Sequence, residues 1–292
     1  MGFRFGYIIF FILVLNSGKA QDLLLADATA ITQNSSGNGF PAWSPDGSLV
    51  VFQSNQLGSW DLYCYSLESD SIWPLLVSEF NLKHPVWHPD GKHLVFDSDS
   101  LGYQVLFSLN LTTKKISRLI NRDVIGSQAS FASSGRQVYF SGFDKTGRHC
   151  QIYSYDFVYD NLNQLTYNKT DSQFPKVSPD GKRVGYFKTN RYNELSSLQV
   201  INWYGEKLAT VAKPASQYHC WDSGGLKIYY TAAGKKGKTS LFSIWTDGSH
   251  VTQLTEDNLN VSHSAISPDG NRMILSVDKN GQTNLYIFNM PE

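Results

Sequence analysis

The chain has 292 residues, of which 25 are basic and 25 are acidic, and its formal net charge at pH 7 is zero. This balance lacks the strongly basic character of nucleic-acid-binding and membrane-surface proteins, so neither kind of partner is expected. A chain of this length can bury the core of one closed domain.

The first 20 residues predict a signal peptide. Arg4 supplies a positive charge, residues 7–15 are largely apolar, and Gly18 and Ala20 are small residues of the kind that precede a cleavage site. The apolar run is too short to cross a bilayer. We therefore expect cleavage near Ala20-Gln21, no transmembrane segment in the mature chain, and a periplasmic or secreted location. An uncleaved anchor is the alternative.

Residues 21–292 contain six copies of one turn motif, seen most clearly in Ser44-Pro45-Asp46-Gly47. Proline sets the backbone for a tight turn, aspartate tolerates the next position, and glycine takes the left-handed conformation that ends it. The last residues of the six copies are Gly47, Gly91, Gly135, Gly181, Gly225 and Gly270. Their spacing of 44 to 46 residues, in a chain of short strands, predicts an all-β fold, a single-domain six-bladed β-propeller.

Each repeat predicts a blade of four strands. Apolar residues three and five positions after the turn glycine, such as Val50 and Phe52, form one face of a strand. The residue four positions before the glycine is expected to wedge between neighbouring blades. These positions hold Trp43, Trp87, Phe131, Val177, Trp221 and Ile266.

The two ends of the chain predict how the ring closes. The sixth repeat stops after its third strand, at Phe288. Ile31-Thr32 lies 16 residues before Gly47, as Leu254-Thr255 lies 16 residues before Gly270. We therefore expect residues 22–32 to supply the missing outer strand of the last blade, which removes an exposed sheet edge.

The inner strand of each repeat begins seven residues before the turn glycine, so the six beginnings are expected to surround one mouth of the central channel. The candidate binding residues there are His84, Gln128, Phe174, Tyr218, His219 and His263, and Phe40 holds the same position in the first repeat. Three interpretations stay open: packing between blades, a binding surface, or a metal site, since imidazole is a common ligand. No catalytic residue, metal ligand or cofactor is assigned.

Recognised catalytic motifs do not occur in the sequence. A Gly-x-Ser-x-Gly elbow, a phosphate-binding glycine loop and His-Glu-x-x-His are all missing. Residues 97–102 imitate a calcium loop, although turn chemistry explains them better. Cys64, Cys150 and Cys220 fall in alternate blades, so each is expected to be structural and at least one thiol to be free.

Several motifs together resemble the PD40, WD40-like repeats of the TolB propeller family over residues 22–292. The motifs are Trp-Ser-Pro-Asp-Gly at 43–47, Trp-His-Pro-Asp-Gly at 87–91, Gly-x-x-x-Leu-Tyr at 58–63, and Gln-Leu-Thr at 164–166 and 253–255. The resemblance implies a six-bladed propeller closed by an outer strand, without the α/β domain that precedes the propeller in TolB. It also implies relatives that are periplasmic and bind Pal and other envelope proteins, or that are peptidase-associated, or that are oligogalacturonate lyases with a metal held by histidines and a glutamine.

Two functional hypotheses follow. The first is an exported, non-enzymatic module that binds an envelope or extracellular protein, with a glycan as the alternative ligand. The second is a secreted metal-dependent polysaccharide lyase, with His84, Gln128, His219 and His263 as its ligands, although residues 217–219 depart from the Gln-x-x-His-x-His arrangement of the lyases. Binding is expected at the face that carries the strand beginnings and the second-to-third-strand hairpins (the mouth face), not at the face that carries the turn glycines (the turn face).

Overall fold

The computed structural model describes residues 23, 25–120, 122, 124–143, 147–189, 196–216, 218–234 and 237–290. The predicted signal peptide lies outside the described residues, as do Lys145, Arg191 and Lys235, which the sequence places near the tips of second-to-third-strand hairpins. Within this part of the chain, 24 strands form six four-stranded antiparallel sheets arranged as the blades of a β-propeller, which confirms the predicted fold.

Blades one to three each run outward from an inner strand in chain order. Their strands are β2 (Asn38–Trp43), β3 (Leu49–Ser54), β4 (Asp61–Ser66) and β5 (Ser71–Leu76); β6 (Leu82–Trp87), β7 (His93–Ser98), β8 (Val105–Asn110) and β9 (Ile116–Arg118); and β10 (Gly126–Phe131), β11 (Gln137–Phe143), β12 (Cys150–Asp156) and β13 (Asn161–Gln164).

Blades four and five repeat this order, whereas blade six takes its outer strand from the N-terminal segment. Their strands are β14 (Asp171–Val177), β15 (Arg183–Thr189), β16 (Ser196–Asn202) and β17 (Lys207–Ala212); β18 (His219–Trp221), β19 (Lys227–Ala233), β20 (Thr239–Trp245) and β21 (Thr252–Gln253); and β22 (Asn260–Ile266), β23 (Arg272–Lys279), β24 (Gln282–Asn289) and β1 (Thr29–Ala30).

The turn between the first and second strands has the predicted geometry in every blade. All six turn glycines have φ between 66° and 78°, a region that residues with a side chain rarely adopt. In blade one the Gly47 amide donates to the Ser44 carbonyl oxygen at 2.9 Å, and the Ser44 hydroxyl donates to Asp46 Oδ1 at 2.6 Å. The motif therefore recurs because each blade needs the same tight reversal of the chain.

The hydrophobic core lies between adjacent blades. The apolar residues three and five positions after each turn glycine are all at most 6% exposed, as predicted. One cluster joins Phe187 and Leu198 of blade four to Trp221 and Ile228 of blade five. Another joins Val50 of blade one to residues of blade six. Packing of this kind couples each blade to its neighbours around the ring.

The N-terminal segment closes the ring, although its regular strand is shorter than predicted. Thr29 and Ala30 pair with β24, whereas Leu25–Asp27 form a 3₁₀ turn and Leu23 makes a parallel bridge to Thr255 of blade five. Residues 22–32 were expected to form one outer strand. The segment instead divides its contacts between the last two blades.

The threonine of the Gln-Leu-Thr motif makes a hydrogen bond that joins the outer segment of a blade to its third strand. The Thr166 hydroxyl accepts the Ile152 amide at 2.9 Å, and the Thr255 hydroxyl accepts the Leu241 amide at 3.0 Å. Thr32 makes the same contact with the Leu285 amide, at 2.9 Å. In blade six, the N-terminal segment therefore occupies the position that Gln-Leu-Thr occupies in blades three and five.

None of the cysteines forms a disulfide. Cys64 and Cys150 are buried, and Cys220 is half-buried. Burial raises the pKa of Cys64 to about 12 and that of Cys220 to about 11, so both thiols stay protonated at neutral pH. Within the described ranges, no helix has the length and apolar character needed to cross a membrane.

Candidate functional site

The candidate site is the mouth of the central channel, where the inner strands begin. In five of the six inner strands, pairing with the second strand shifts register at or beside the position seven residues before the turn glycine. Four of these residues have positive φ: Phe40 (51°), His84 (50°), Gln128 (60°) and Phe174 (55°). Bulges re-aim side chains, and a strained backbone of this kind persists only where its surroundings hold it.

Six side chains, which we call the mouth ring, line one cavity at this point. They are Phe40, His84, Gln128, Phe174, Tyr218 and His263. The structure therefore brings together the residues that the spacing placed at the mouth. His219 also borders the cavity, but its ring packs edge-on against Phe187 between blades four and five, with 5.0 Å between centroids.

Aromatic contacts close the mouth ring. The Phe40 ring lies 3.9 Å from His263, 4.2 Å from His84 and 5.4 Å from Tyr218, measured between centroids. Tyr218 lies 4.0 Å from His263 and 5.4 Å from Phe174. The cavity leaves about 50 Å³ for the centres of water-sized molecules, which is room for a few waters. A larger ligand must bind over this ring or displace it.

His84 is fixed by a buried carboxylate. Its Nδ1 lies 2.9 Å from both carboxylate oxygens of Asp97, a β7 residue that is 1% exposed. With Nδ1 engaged in this way, Nε2 is the imidazole nitrogen left for another partner. Residues 97–102 were expected to form a turn, and the structure places Asp97 instead in the second strand, beside the channel mouth.

The mouth-ring amides are satisfied from one blade to the next. The His84 amide donates to Gln53 Oε1 of blade one at 2.9 Å. The Gln128 amide donates to Asp97 of blade two at 3.1 Å, and the Phe174 amide donates to Ser141 of blade three at 3.0 Å. The three acceptors all lie six residues after a turn glycine. These contacts give the mouth ring a structural role, whatever else it does.

A lysine lies in the channel wall next to the mouth ring. Lys176 lines the same cavity, and burial lowers its pKa. Burial and then the charge of Lys176 lower the pKa of His219 to about 3. Burial, followed by the charges of His84 and Lys176, lowers the pKa of His263 to about 3. Both histidines are therefore neutral at pH 7.

The histidines of the channel do not by themselves form the metal site that resemblance to the lyases implies. A bound ion needs several donor atoms within one coordination sphere. Among the residues that the structure describes, His84, His219 and His263 do not bring three donor atoms of His, Cys, Asp or Glu within reach of one ion.

Sequence reasoning missed Asp97 and Lys176 as residues of the mouth. A signal for Asp97 did exist, because Gln53, Asp97 and Ser141 are polar residues at one repeat position inside otherwise apolar strands. Lys176 could have been found in a similar way. It is the charged residue at a position that holds Ala42 in blade one and Val86 in blade two.

Comparison with known proteins identifies the family. Residues 76–267 match the description "TolB beta propeller domain" (PD40). Over 170 residues the chain is 25% identical to a protein TolB homolog of Chlorobium luteolum, which covers 58% of this chain and 36% of that protein. The chain thus spans about a third of the length of that relative.

Solved structures share the fold. The chain resembles TolB from Acinetobacter baumannii with a TM-score of 0.61 and 17% identity, over 89% of this chain and 56% of that one. It resembles an oligogalacturonate lyase in complex with manganese with a TM-score of 0.63 and 15% identity, over 91% and 93% of the two chains. At these identities the likeness shows the fold alone. The match over residues 76–267 goes further, and the chain belongs to the TolB β-propeller family.

Proposed function

We propose that this chain is an exported, non-enzymatic propeller that binds an envelope or extracellular protein through its mouth face. A glycan is the alternative ligand. The location follows from the predicted signal peptide, with cleavage near Ala20-Gln21 and a periplasmic or secreted product. A propeller is a scaffold whose function resides in its loops and faces, so the surface side chains carry the evidence for a binding role.

The observation that carries the proposal is a set of exposed apolar side chains on the mouth-face loops of blades one to three. They are Leu57, Phe80, Leu101, Tyr103, Ile125 and Phe143, and each is at least 40% exposed. These residues lie in or beside second-to-third-strand hairpins and blade-to-blade connections. Exposed apolar side chains on a rigid frame are characteristic of surfaces that bind other proteins.

The turn face offers a competing surface. Tyr159, Trp203 and Tyr204 lie in outer hairpins of blades three and four, and Tyr204 is 67% exposed. The turn face was expected to be purely structural, so these aromatic side chains must be tested against those of the mouth face.

The experiment is capture of partners from the native envelope by the tagged mature chain, followed by binding measurements with the identified partner in purified form. We expect Tyr218→Ala or His263→Ala to weaken binding by roughly 1–2 kcal/mol while the chain stays folded. Leu101→Ser changes the rim without touching the mouth ring, and we expect it to weaken binding as well.

Tyr204→Ser is the matched control on the turn face, together with surface changes beside Asp46, Asp180 or Asp269. These variants should bind the partner as the wild type does. If they abolish binding while the mouth-face variants bind normally, the proposal names the wrong face.

The second hypothesis, a metal-dependent polysaccharide lyase, rests on likeness of fold, and no contact among the described residues favours it. Incubation with polygalacturonate under added Mn²⁺ distinguishes the two hypotheses. Release of unsaturated oligosaccharides, lost in His84→Ala and His263→Ala, would overturn the non-enzymatic proposal.

A further inference from the structure

The turn of blade two departs from the repeat at two positions. His88 stands where Ser44, Ser178 and Ser267 stand in other blades, and His93 stands where Leu49 stands in blade one. The other turns form without histidine, and in blade one the serine hydroxyl caps the turn instead. The fold therefore does not require an imidazole at either position.

The two imidazoles flank one carboxylate. His88 Nδ1 lies 3.1 Å from Asp90 Oδ1, and His93 Nδ1 lies 2.7 Å from Asp90 Oδ2. One donor atom from each residue lies within 4.8 Å of those of the other two. The three side chains are between 27% and 36% exposed, so an ion can reach them from solvent.

Blade three holds the His88 ring in an orientation suited to coordination. Its Nε2 lies 3.2 Å from the carbonyl oxygen of Gly135, and its ring packs edge-on against Phe131, with 4.9 Å between centroids. Donation from Nε2 to that carbonyl leaves the lone pair of Nδ1 on the side of Asp90, where it now accepts the Asp90 amide at 3.2 Å. Histidine ligands in metal sites are typically oriented by this kind of backbone contact at the other nitrogen.

We propose that His88, Asp90 and His93, the blade-two turn site, bind one divalent transition-metal ion of the Zn²⁺ class. Two imidazole nitrogens and one carboxylate oxygen form the donor set, and the fourth tetrahedral position faces solvent. Imidazole favours Zn²⁺, Ni²⁺, Cu²⁺ and related ions over Mg²⁺ or Ca²⁺, which prefer all-oxygen sites. The ion replaces the Asp90 amide at His88 Nδ1.

The His93 imidazole is less suited to coordination than the His88 imidazole, because its neighbour favours the wrong tautomer. The Asn110 side-chain oxygen accepts the amides of Thr112 and Thr113 at 3.0 and 2.8 Å, so its amide nitrogen faces His93 Nε2, at 2.9 Å. This contact keeps the His93 proton on Nδ1. Coordination through Nδ1 moves that proton to Nε2, and Asn110 opposes the move because it cannot accept it.

Titration of the chelator-treated mature chain with Zn²⁺, followed by calorimetry, tests the proposal. We expect one equivalent to bind to the wild type. His88→Ser and His93→Leu recreate residues of the blade-one turn, so both variants should fold. Each should lower the affinity at least about tenfold. His250→Gln removes an exposed histidine of blade five and should bind as the wild type does.

Asn110→Asp tests directly whether His93 binds the ion through Nδ1. Asp156 occupies the equivalent position in blade three and accepts the amides of Val158 and Tyr159, so an aspartate suits this turn. A carboxylate accepts the Nε2 proton of His93 and leaves Nδ1 free, so the affinity for Zn²⁺ should rise about tenfold.

Three results would overturn the proposal. The first is no saturable binding at millimolar Zn²⁺. The second is binding that persists in His88→Ser and His93→Leu but is lost in His263→Gln, which places the ion in the channel. The third is an Asn110→Asp variant that binds no more tightly than the wild type, because His93 is then not a ligand through Nδ1.

Discussion

The indole Nε1 of Trp87 donates a 3.1 Å hydrogen bond to the carbonyl oxygen of Ala42 in the preceding blade. Trp43 makes the same contact with Ala265 at 3.1 Å, and Trp221 makes it with Lys176 at 2.8 Å. The three tryptophans are therefore wedged between blades as predicted, and each also satisfies a carbonyl group of its neighbour. Phe131, Val177 and Ile266, at the same position in the other blades, have no such donor.

Replacing Trp87 by phenylalanine should destabilise the propeller. The change removes the donor and leaves the Ala42 carbonyl oxygen without its partner in a buried interface, which costs about 1–3 kcal/mol. Urea unfolding followed by circular dichroism measures the difference. Trp73→Phe, at a position 36% exposed on β5, is the matched control and should change stability by no more than about 0.5 kcal/mol. Equal losses in both variants would contradict the role of the interblade hydrogen bond.

Thr32→Val tests the closure of the ring at one atom. The Thr32 hydroxyl is buried and accepts the Leu285 amide, so valine keeps the shape but leaves that amide unsatisfied, at a cost of about 1–3 kcal/mol. Thermal unfolding of the mature chain is the measurement, and the exposed Gln33→Ala serves as control. Deleting residues 22–32 should cost several kcal/mol, because a packed segment is lost. A deletion variant that melts as cooperatively as the full chain would refute this account.

Asp97 should be more important for stability than an ordinary strand residue. Asp97→Leu leaves the Gln128 amide and the His84 imidazole without an acceptor, and the amide alone costs about 1–3 kcal/mol. Asp97→Asn keeps a side-chain oxygen at the same place, so its loss should be smaller. The urea concentrations at which the two variants are half unfolded measure this difference in stability. If leucine is tolerated as well as asparagine, the blade-to-blade contacts at the mouth do not hold the ring together.

His219 predicts acid sensitivity with a definite sign. Its pKa falls from an ordinary value of 6.5 to about 3 in the folded chain, first because of burial and then because of Lys176. Between those two values the unfolded chain binds a proton that the folded chain does not, so stability falls as the pH is lowered through this range. One histidine contributes a slope of at most about 1.4 kcal/mol per pH unit.

The measurement is the free energy of unfolding between pH 7 and pH 4, for the wild type and for His219→Asn. Asparagine does not titrate, so the variant should lose less stability on acidification, whatever its stability at neutral pH. His263 has a similarly lowered pKa and is present in both chains, so part of the slope remains. Identical slopes would show that His219 is accessible to protons in the folded state.

The sequence alone determined the architecture of the propeller. The turn glycines and the buried pairs that follow them answer backbone requirements that recur once per blade, and the threonine of the closure recurs in blades three and five, so each leaves a periodic trace. Where the requirement is local and less regular, the prediction was weaker. Residues 22–32 were expected to form a single strand, and only Thr29 and Ala30 pair with β24 because Leu25–Asp27 form a tight turn.

Tertiary structure decided what lies at the mouth and at the blade-two turn. Spacing placed Phe40 and His263 at the same level of the channel, but only the packed side chains show that their rings meet and close the mouth. The Asp97 contact with His84 and the Gly135 contact with His88 join strands or blades through side-chain conformations. Each of these contacts depends on how neighbouring strands and blades are set against each other, so the spacing of the repeats does not predict it.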